Sequence, residues 1–581
     1  MSAPRVGFGG LERAPLAVVI VIGSVLGAGL WGRVPWWVAP AVVTVVGVML
    51  TLRVTGRSGP RWLVDWWLFR SGAAARAQEL QRRIPVRDVS VASGDCGVYE
   101  TDSALITMIQ LAPDLDLPTV IAERELYTED TVPVEALLPM LDQYGLAIDV
   151  DIVTTGQRVR PAGGYSMLYD QLIGTHPVVG DRMTWLVVRL DLQRNLVALS
   201  QRGPVAESGP RALASAANRI ASRLRERGIS AHPLPAAAMG EATRLLHAGV
   251  EMTDLREKWG RLDSSVPNRS VTSFLIDWSR MEGAGLDDCW SWNKGRTTVV
   301  VSLAGGALGA RGLVRYVGPP VSTSPPGYLR PLPGRQSQAL LASLPTQTSV
   351  HDLPRTGSGD DLASAEQVTE LSIPIGPSGQ ILGAISGRPS HTLAMPLFDP
   401  ARYNPRHRTV DVYAELPVAQ QIVLRAMVVG ADVEVHSARP HRWQQLVASV
   451  GDPDSLRLAP QRTGEQPAAA ESPATIAVFD QVPPSGSAAP TTVTISDPGT
   501  PRRRAADLAI DQVSSTAIDV SIPMRTVRVD LIEPRGETRY VDSSGDFSAS
   551  GQAAISAPDG VSAPPGEIPG VIRGGSNGVN R

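Results

Sequence analysis

The sequence is nearly free of lysine and of cysteine. Lys258 and Lys294 are the only lysines beside a large complement of arginine, a bias that fits a GC-rich genome and carries no binding function by itself. The two cysteines, Cys96 and Cys289, are too few and too far apart for a framework of disulfides or a CxxC metal clip, which suits a reducing compartment; both read as buried thiols. A net charge of −3 supplies no basic surplus, so no nucleic-acid partner is expected, because sequence-independent phosphate binding needs concentrated positive charge. Catalytic signatures are missing too. There is no GxxxxGK[ST] phosphate loop, no HExxH, no GxSxG elbow between a strand and a helix, and no GxGxxG after a strand. The eight histidines are scattered; the closest pair, His436 and His441, is interrupted by Pro440, which spoils a helical metal site. No cofactor, metal or catalytic residue is expected.

What is there begins with two long apolar runs. Residues 14–32 and 34–52 carry no charge and are separated only by Arg33. At ~1.5 Å per residue each spans about 28 Å, close to the roughly 30 Å hydrocarbon core of a bilayer. A secretory signal peptide is the competing reading, but its apolar region is shorter and is not followed by a second equal span. The pattern predicts a transmembrane helical hairpin over 14–52. Arg5 and Arg13 precede it, and Arg53, Arg57, Arg61, Arg70, Arg76, Arg82, Arg83 and Arg87 follow it. The positive-inside rule therefore puts both ends of the chain in the cytoplasm, with residues 1–13 as an N-terminal cytoplasmic segment.

Half of the twelve tryptophans lie before residue 68. Trp31, Trp36 and Trp37 cluster at the turn of the hairpin, where indoles favour the headgroup layer. Trp62, Leu63, Trp66, Trp67 and Phe69 read as a helix lying in the membrane surface within an Arg/Trp-rich juxtamembrane segment, 53–83. Gly23 and Gly27 form a small-xxx-small pair that would let another helix approach closely, although glycine is common in such helices in any case.

The remainder is too long for one hydrophobic core. From Ile84 onward apolar strands alternate with helical patterns, the mark of a mixed α/β fold class. Strands are expected at 86–91, 105–111, 119–122, 146–153 and 185–190, and helices at 134–144, 165–173 and 212–227. This defines a cytoplasmic α/β domain over 84–303. Pro, Gly and Ser then dominate a connection, 304–368, before a second α/β unit at 369–460. Isolated strand candidates at 475–479, 491–495 and 527–532 belong to a partly ordered extension, 461–542. The tail 543–581 is too poor in apolar residues to fold and is expected to be disordered.

One pattern hints at chemistry. Asp149 and Asp151 are two apart on a strand, so both point to one side and could hold a divalent cation with a nucleotide-sugar diphosphate, as a membrane-tethered glycosyltransferase-like enzyme would require. Against this, Ile152 and Val153 follow at once, so the triplet does not end its strand. The stretch 123–130 and the arginine-rich helix 211–227 read as solvated surface or as contacts to a neighbouring subunit.

Read together, the hairpin, the Arg/Trp segment and several soluble motifs resemble EccE, a membrane component of the mycobacterial ESX, or type VII, secretion systems. The motifs are Tyr169-Asp-Gln-Leu-Ile-Gly-Thr-His-Pro, Thr184-Trp-Leu-Val-Val-Arg-Leu-Asp, Ser215-Ala-Ala-Asn-Arg-Ile-Ala-Ser-Arg-Leu and Glu257-Lys258-Trp259. Leu371-Ser-Ile-Pro-Ile-Gly-Pro-Ser-Gly and the run from Gln421 to Val435 follow. The resemblance implies a non-enzymatic scaffold subunit of the plasma (inner) membrane, present in multiple copies beside EccB, EccC and EccD and supporting export of WXG100/Esx-type substrates. ATP-driven work would belong to EccC, in keeping with the missing phosphate loop. The segment after residue 460 matches no feature of the family.

Overall fold

The structure, a computed structural model, describes residues 66–82, 85–122, 125–161, 163–281, 285–305, 309–354, 361–459, 474–484, 487–502 and 506–541, together with the short strands Val6–Phe8, Leu52–Val54 and Arg57–Ser58. The tail 543–581 lies outside these residues, as do Gly23, Gly27, Trp31, Trp36, Trp37 and Trp62, so the expected membrane hairpin does too, apart from Leu52. Val6–Phe8 pairs antiparallel with Leu52–Val54, which sets the two flanks of 9–51 side by side. Among the described residues no helix is long and apolar enough to cross a membrane.

Two twelve-stranded sheets dominate one compact unit. The first is antiparallel throughout and runs, edge to edge, through Arg256–Lys258, Arg261–Asp263, Ser270–Ile276, Ala310–Gly318, Arg296–Leu303, Asp149–Gly156, Met183–Asp191, Ala104–Ala112, Gly94–Glu100 and Val86–Val91. Ser230–Pro233 and Leu329–Pro331 pair alongside. Met183–Asp191 shows why the sheet is covered on both faces. Its apolar side chains alternate: Leu186, Val188 and Leu190 join one core with Leu213, Ala217 and Ile220 of the helix Val205–Glu226, whereas Trp185 and Val187 join another with Met239 of Ala236–Leu246 and Leu340 of Gln336–Ala342. A strand buried on both sides reads as an unbroken apolar run, because period-2 alternation has no polar face to show.

The second sheet is mixed. Leu456–Leu458, Val433–Ser437, Ile476–Asp480, Thr491–Ser496, Arg408–Tyr413 and Leu508–Ser514 lie parallel in that order. Ala517–Ile522, Arg525–Leu531, Gln380–Ile385, Arg388–Met395, Thr119–Ala122 and Glu125–Tyr127 continue it antiparallel. The crossover helix Leu416–Val428 is apolar almost all round and buried along its whole length, as such a pattern requires.

The α/β expectation holds, with four differences of physical interest. Residues 134–144, expected as a helix, form two 3-10 turns and the hairpin Asp142–Gln143 with Leu146–Ala147. Pro139 interrupts the helix ladder, and Tyr144 and Gly145 both take positive φ, 51° and 78°, the backbone of a tight two-residue hairpin turn. The helix expected from 212 begins at Val205 and runs through Pro210, whose missing N–H gives up one helix bond, to the Ala206 carbonyl. Residues 304–368, read as a connection, contribute Ala310–Gly318, Leu329–Pro331 and Gln336–Ala342 to the first sheet and its cover. The strands read as isolated after residue 460 are the middle of the second sheet, packed into its core through Ile476, Val478, Val493, Ile495 and Val529.

Contacts between the sheets are polar as well as apolar. The Arg160 guanidinium meets Asp432 at 2.5 Å and the backbone N–H of Arg160 donates to the Val428 carbonyl at 2.8 Å; Thr184 Oγ1 donates to the Ile375 carbonyl at 2.8 Å; Arg406 spans Asp114 and Asp116, both at 2.9 Å. Strand Thr119–Ala122 itself leaves the first half of the chain to pair with Arg388–Met395.

Candidate functional site

The carboxylate pair comes first, because the sequence offers it as a metal ligand set. Asp149 and Asp151 do occupy one strand, Asp149–Gly156, but each is consumed by its own chain. Asp151 is fully buried; it forms an ion pair with Arg189 and accepts from Ser302 Oγ at 2.5 Å. Arg189 in turn donates to the carbonyls of Thr346 and Leu344. Asp149 meets Arg194 at 2.8 Å and accepts from the Gly305 N–H at 2.9 Å. Asp151 is buried with both oxygens engaged and Asp149 is held by Arg194, so the two do not form an open pair for a diphosphate-bound cation, and the described residues contain no cluster of His, Cys, Asp or Glu able to hold a metal. The glycosyltransferase-like reading is therefore corrected: the pair ties the strand to Arg189 and Arg194.

The cysteines are the buried thiols the sequence suggests. Cys96 lies 3.0 Å from Thr107 Oγ1, and burial raises the pKa of both thiols.

The exposed apolar surface lies at the other candidate. Residues 66–71 are helical and continue through Gly72 into Ala73–Leu80, since the Gly72 N–H donates to Leu68 and the Arg76 N–H to Gly72. Two of the six tryptophans singled out at the membrane interface are described here. Trp66 is 42% exposed and Trp67 64%, and Leu68 beside them is 46% exposed. Three consecutive large apolar side chains in water are unfavourable unless something covers them.

This ridge is fastened to the first sheet by residues that composition does not reveal. Phe69 packs edge-on against Trp259 with ring centroids 5.3 Å apart. The Arg76 guanidinium lies over Phe69 at 4.7 Å and meets Glu257 at 2.5 Å, while Glu257 also accepts from the Ser337 N–H at 2.9 Å. At the helix end, Leu80 is buried in the core under the sheet. Glu257-Lys258-Trp259 thus forms the end of the edge strand Arg256–Lys258 and its turn, with two of its side chains gripping the helix. Gly334 is the matching backbone device. Its φ of +71° suits glycine, its N–H donates to the Trp259 carbonyl at 2.6 Å, and a Cβ there would fall 2.7 Å from the indole.

With this geometry in view, residues 178–276 match the family described as "Putative type VII ESX secretion system translocon, EccE". That span begins before Met183–Asp191 and ends with Ser270–Ile276, so it includes the Glu257–Trp259 grip. Among curated relatives, the ESX-2 secretion system protein EccE2 of Mycobacterium tuberculosis is 25% identical over 92% of this chain and 92% of its own. The ESX-1 protein EccE1 of the same species is 27% identical over 69% of this chain and 77% of its own. The ESX-5 protein EccE5 of Mycobacterium marinum is 29% identical over 59% and 87%. The chain is a relative of the EccE proteins of the ESX, or type VII, secretion systems.

Proposed function

We propose that this chain is a non-enzymatic scaffold subunit of an ESX type VII secretion membrane complex. In this reading the hairpin 14–52 sits in the plasma membrane with both termini cytoplasmic, Gly23 and Gly27 face a neighbouring helix, and Trp31, Trp36, Trp37, Trp62, Trp66 and Trp67 lie at the membrane interface. EccB, EccC and EccD are its partners, the chain is present in several copies, and it supports assembly of the channel that exports WXG100/Esx-type substrates. The observation that carries the reading is the exposed ridge Trp66, Trp67 and Leu68, held rigidly on the sheet edge directly after the apolar runs. Indoles on an arginine-bearing helix are suited to the headgroup layer, so the first sheet would ride against the bilayer by its Arg256–Lys258 edge. Similarity along 92% of both chains to an ESX-2 component supports the system.

The test is affinity purification of the C-terminally tagged chain from gently solubilised membranes. Recovery of EccB, EccC and EccD with it in a megadalton-scale particle is expected. Recovery of the chain alone, or secretion unchanged when the whole chain is deleted, overturns the reading.

A further inference from the structure

Along the long helix Val205–Glu226 runs a surface groove with about 470 Å³ of space, lined by Tyr144, Arg202, Pro204, Glu207, Arg211 and Arg219 among others. The helical positions Pro204, Glu207, Ser208, Arg211, Ala212, Ser215 and Arg219 recur every three or four residues and so form one stripe on one face. From 204 to 219 the stripe is about 22 Å long at ~1.5 Å per residue. An extended peptide of roughly six or seven residues has that length; an inorganic anion would fill only a fraction of it.

The groove carries positive charge that the chain does not neutralise. Arg202 spends one donor on the Tyr144 carbonyl at 2.7 Å. Arg219 donates to the neutral Gln143 side chain at 2.8 Å and lies over the Tyr144 ring at 4.7 Å. Arg211 is exposed and has no hydrogen bond or ion pair among the described residues. Glu207 is the sole carboxylate in the lining. Burial lowers the Arg219 pKa, Tyr144 works against that, and the nearby Arg202 lowers it, as a like charge does. Tyr144 stands on its left-handed backbone with 79% of its surface exposed, its ring under Arg219 and its carbonyl bonded by Arg202. Guanidinium forks bind carboxylates in pairs, and an aromatic ring beside them offers a partner side chain a flat apolar contact.

We propose that this groove docks an acidic peptide segment of a partner protein, with Arg202, Arg211 and Arg219 pairing its carboxylates and Tyr144 covering an apolar side chain between them. The inference deepens the scaffold reading, on which it rests for the presence of a protein partner; its test uses the purified full-length chain alone, so the two can fail separately.

The experiment is fluorescence anisotropy of a labelled peptide of about eight residues alternating Glu and Leu, titrated with the full chain in nanodiscs. Binding is expected to weaken as salt rises from about 50 to about 300 mM. Arg211→Glu, at an exposed position with no hydrogen bond or ion pair among the described residues, should weaken it about tenfold, and adding Arg219→Glu should weaken it further. Arg244→Glu, a reversal of equal charge on another exposed helix position, should leave it within about twofold. Three outcomes overturn the proposal: no binding by the unaltered chain, equal loss from Arg244→Glu, or full displacement by phosphate at matched charge, which makes the groove a small-anion site.

Discussion

Glu537 is where the stability of the second sheet can be tested most sharply. Its carboxylate is 2% exposed and meets the equally buried Arg425 guanidinium at 3.0 Å. Gln421 Nε2 donates to it at 2.8 Å, and the Tyr165 hydroxyl donates as well. Arg425 also donates to the carbonyls of Ile381 and Ile532, so one guanidinium joins the crossover helix, a strand and the turn Glu537–Arg539. Burial alone would lower the Arg425 pKa, but Glu537 holds it raised. Glu537→Ala leaves that cation buried without its anion, and breaking a buried pair on one side costs about 3–5 kcal/mol. For a described body of about 450 residues, ~2.1 cal/mol/K per residue gives an unfolding entropy of about 0.9 kcal/mol/K, hence a Tm lower by about 3–5 °C. Intrinsic tryptophan fluorescence of the full chain on heating reads this directly, since Trp443 is buried in the same core. Glu537→Gln, which keeps the size and one acceptor oxygen but loses the charge and the second acceptor, should fall between. A Glu537→Ala melt within about 1 °C of the unaltered chain refutes the assigned role of the pair.

Asp151→Ala should destabilise by about 3–5 kcal/mol because Arg189 is then stranded, whereas Asp149→Ala, whose partner Arg194 is half-exposed, should cost no more than about 1 kcal/mol; calorimetry should find no Mn²⁺ binding in the unaltered chain. Two groups should tilt stability against pH in opposite senses. Burial pushes Asp130 up to about 6, so its contribution is full below the ordinary carboxylate pKa of ~3.9 and lost as pH rises through about 6. Burial, helped by Arg315, pushes His247 down to about 4, so its contribution is full above ~6.5 and lost as pH falls toward about 4. Urea midpoints between these limits should therefore rise with pH more steeply in Asp130→Asn and more gently in His247→Gln. Gly334→Ala should cost about 1–3 kcal/mol through its positive φ and the indole it would strike, and should speed tryptic cleavage at Arg70 and Arg76 as the grip on the 66–80 helix loosens.

Much of the second unit was legible because its elements are short and locally marked. The helix that periodicity puts at 418–429 forms as Leu416–Val428, with Pro417 in its first turn, and the strand expected at 432–436 as Val433–Ser437. Local chemistry misled where two signals competed: Tyr144-Gly145 is a hairpin turn inside a stretch with helical spacing, and the helix expected from 212 starts earlier, at Val205, ahead of Pro210. At the site, Trp66 and Trp67 stood out because exposed indoles are rare and sequence records every tryptophan. Phe69, Arg76 and Gly334 did not, since each matters only for what it meets across the fold.

By itself the sequence determined the two uncharged runs, the mixed α/β class, the absence of a phosphate loop and the pairing of carboxylates on one strand, all of which rest on composition or on spacing along a few residues. Tertiary structure alone decided that those carboxylates are spent on Arg189 and Arg194. It also decided that residues 476–531 are the centre of a sheet and that Glu537 closes on Arg425 over a separation of 112 residues. A strand's place in a sheet and a charge's partner are set by contacts between distant segments. Each such contact has to offset the entropy of closing a long loop, and no local periodicity records which distant partner does so.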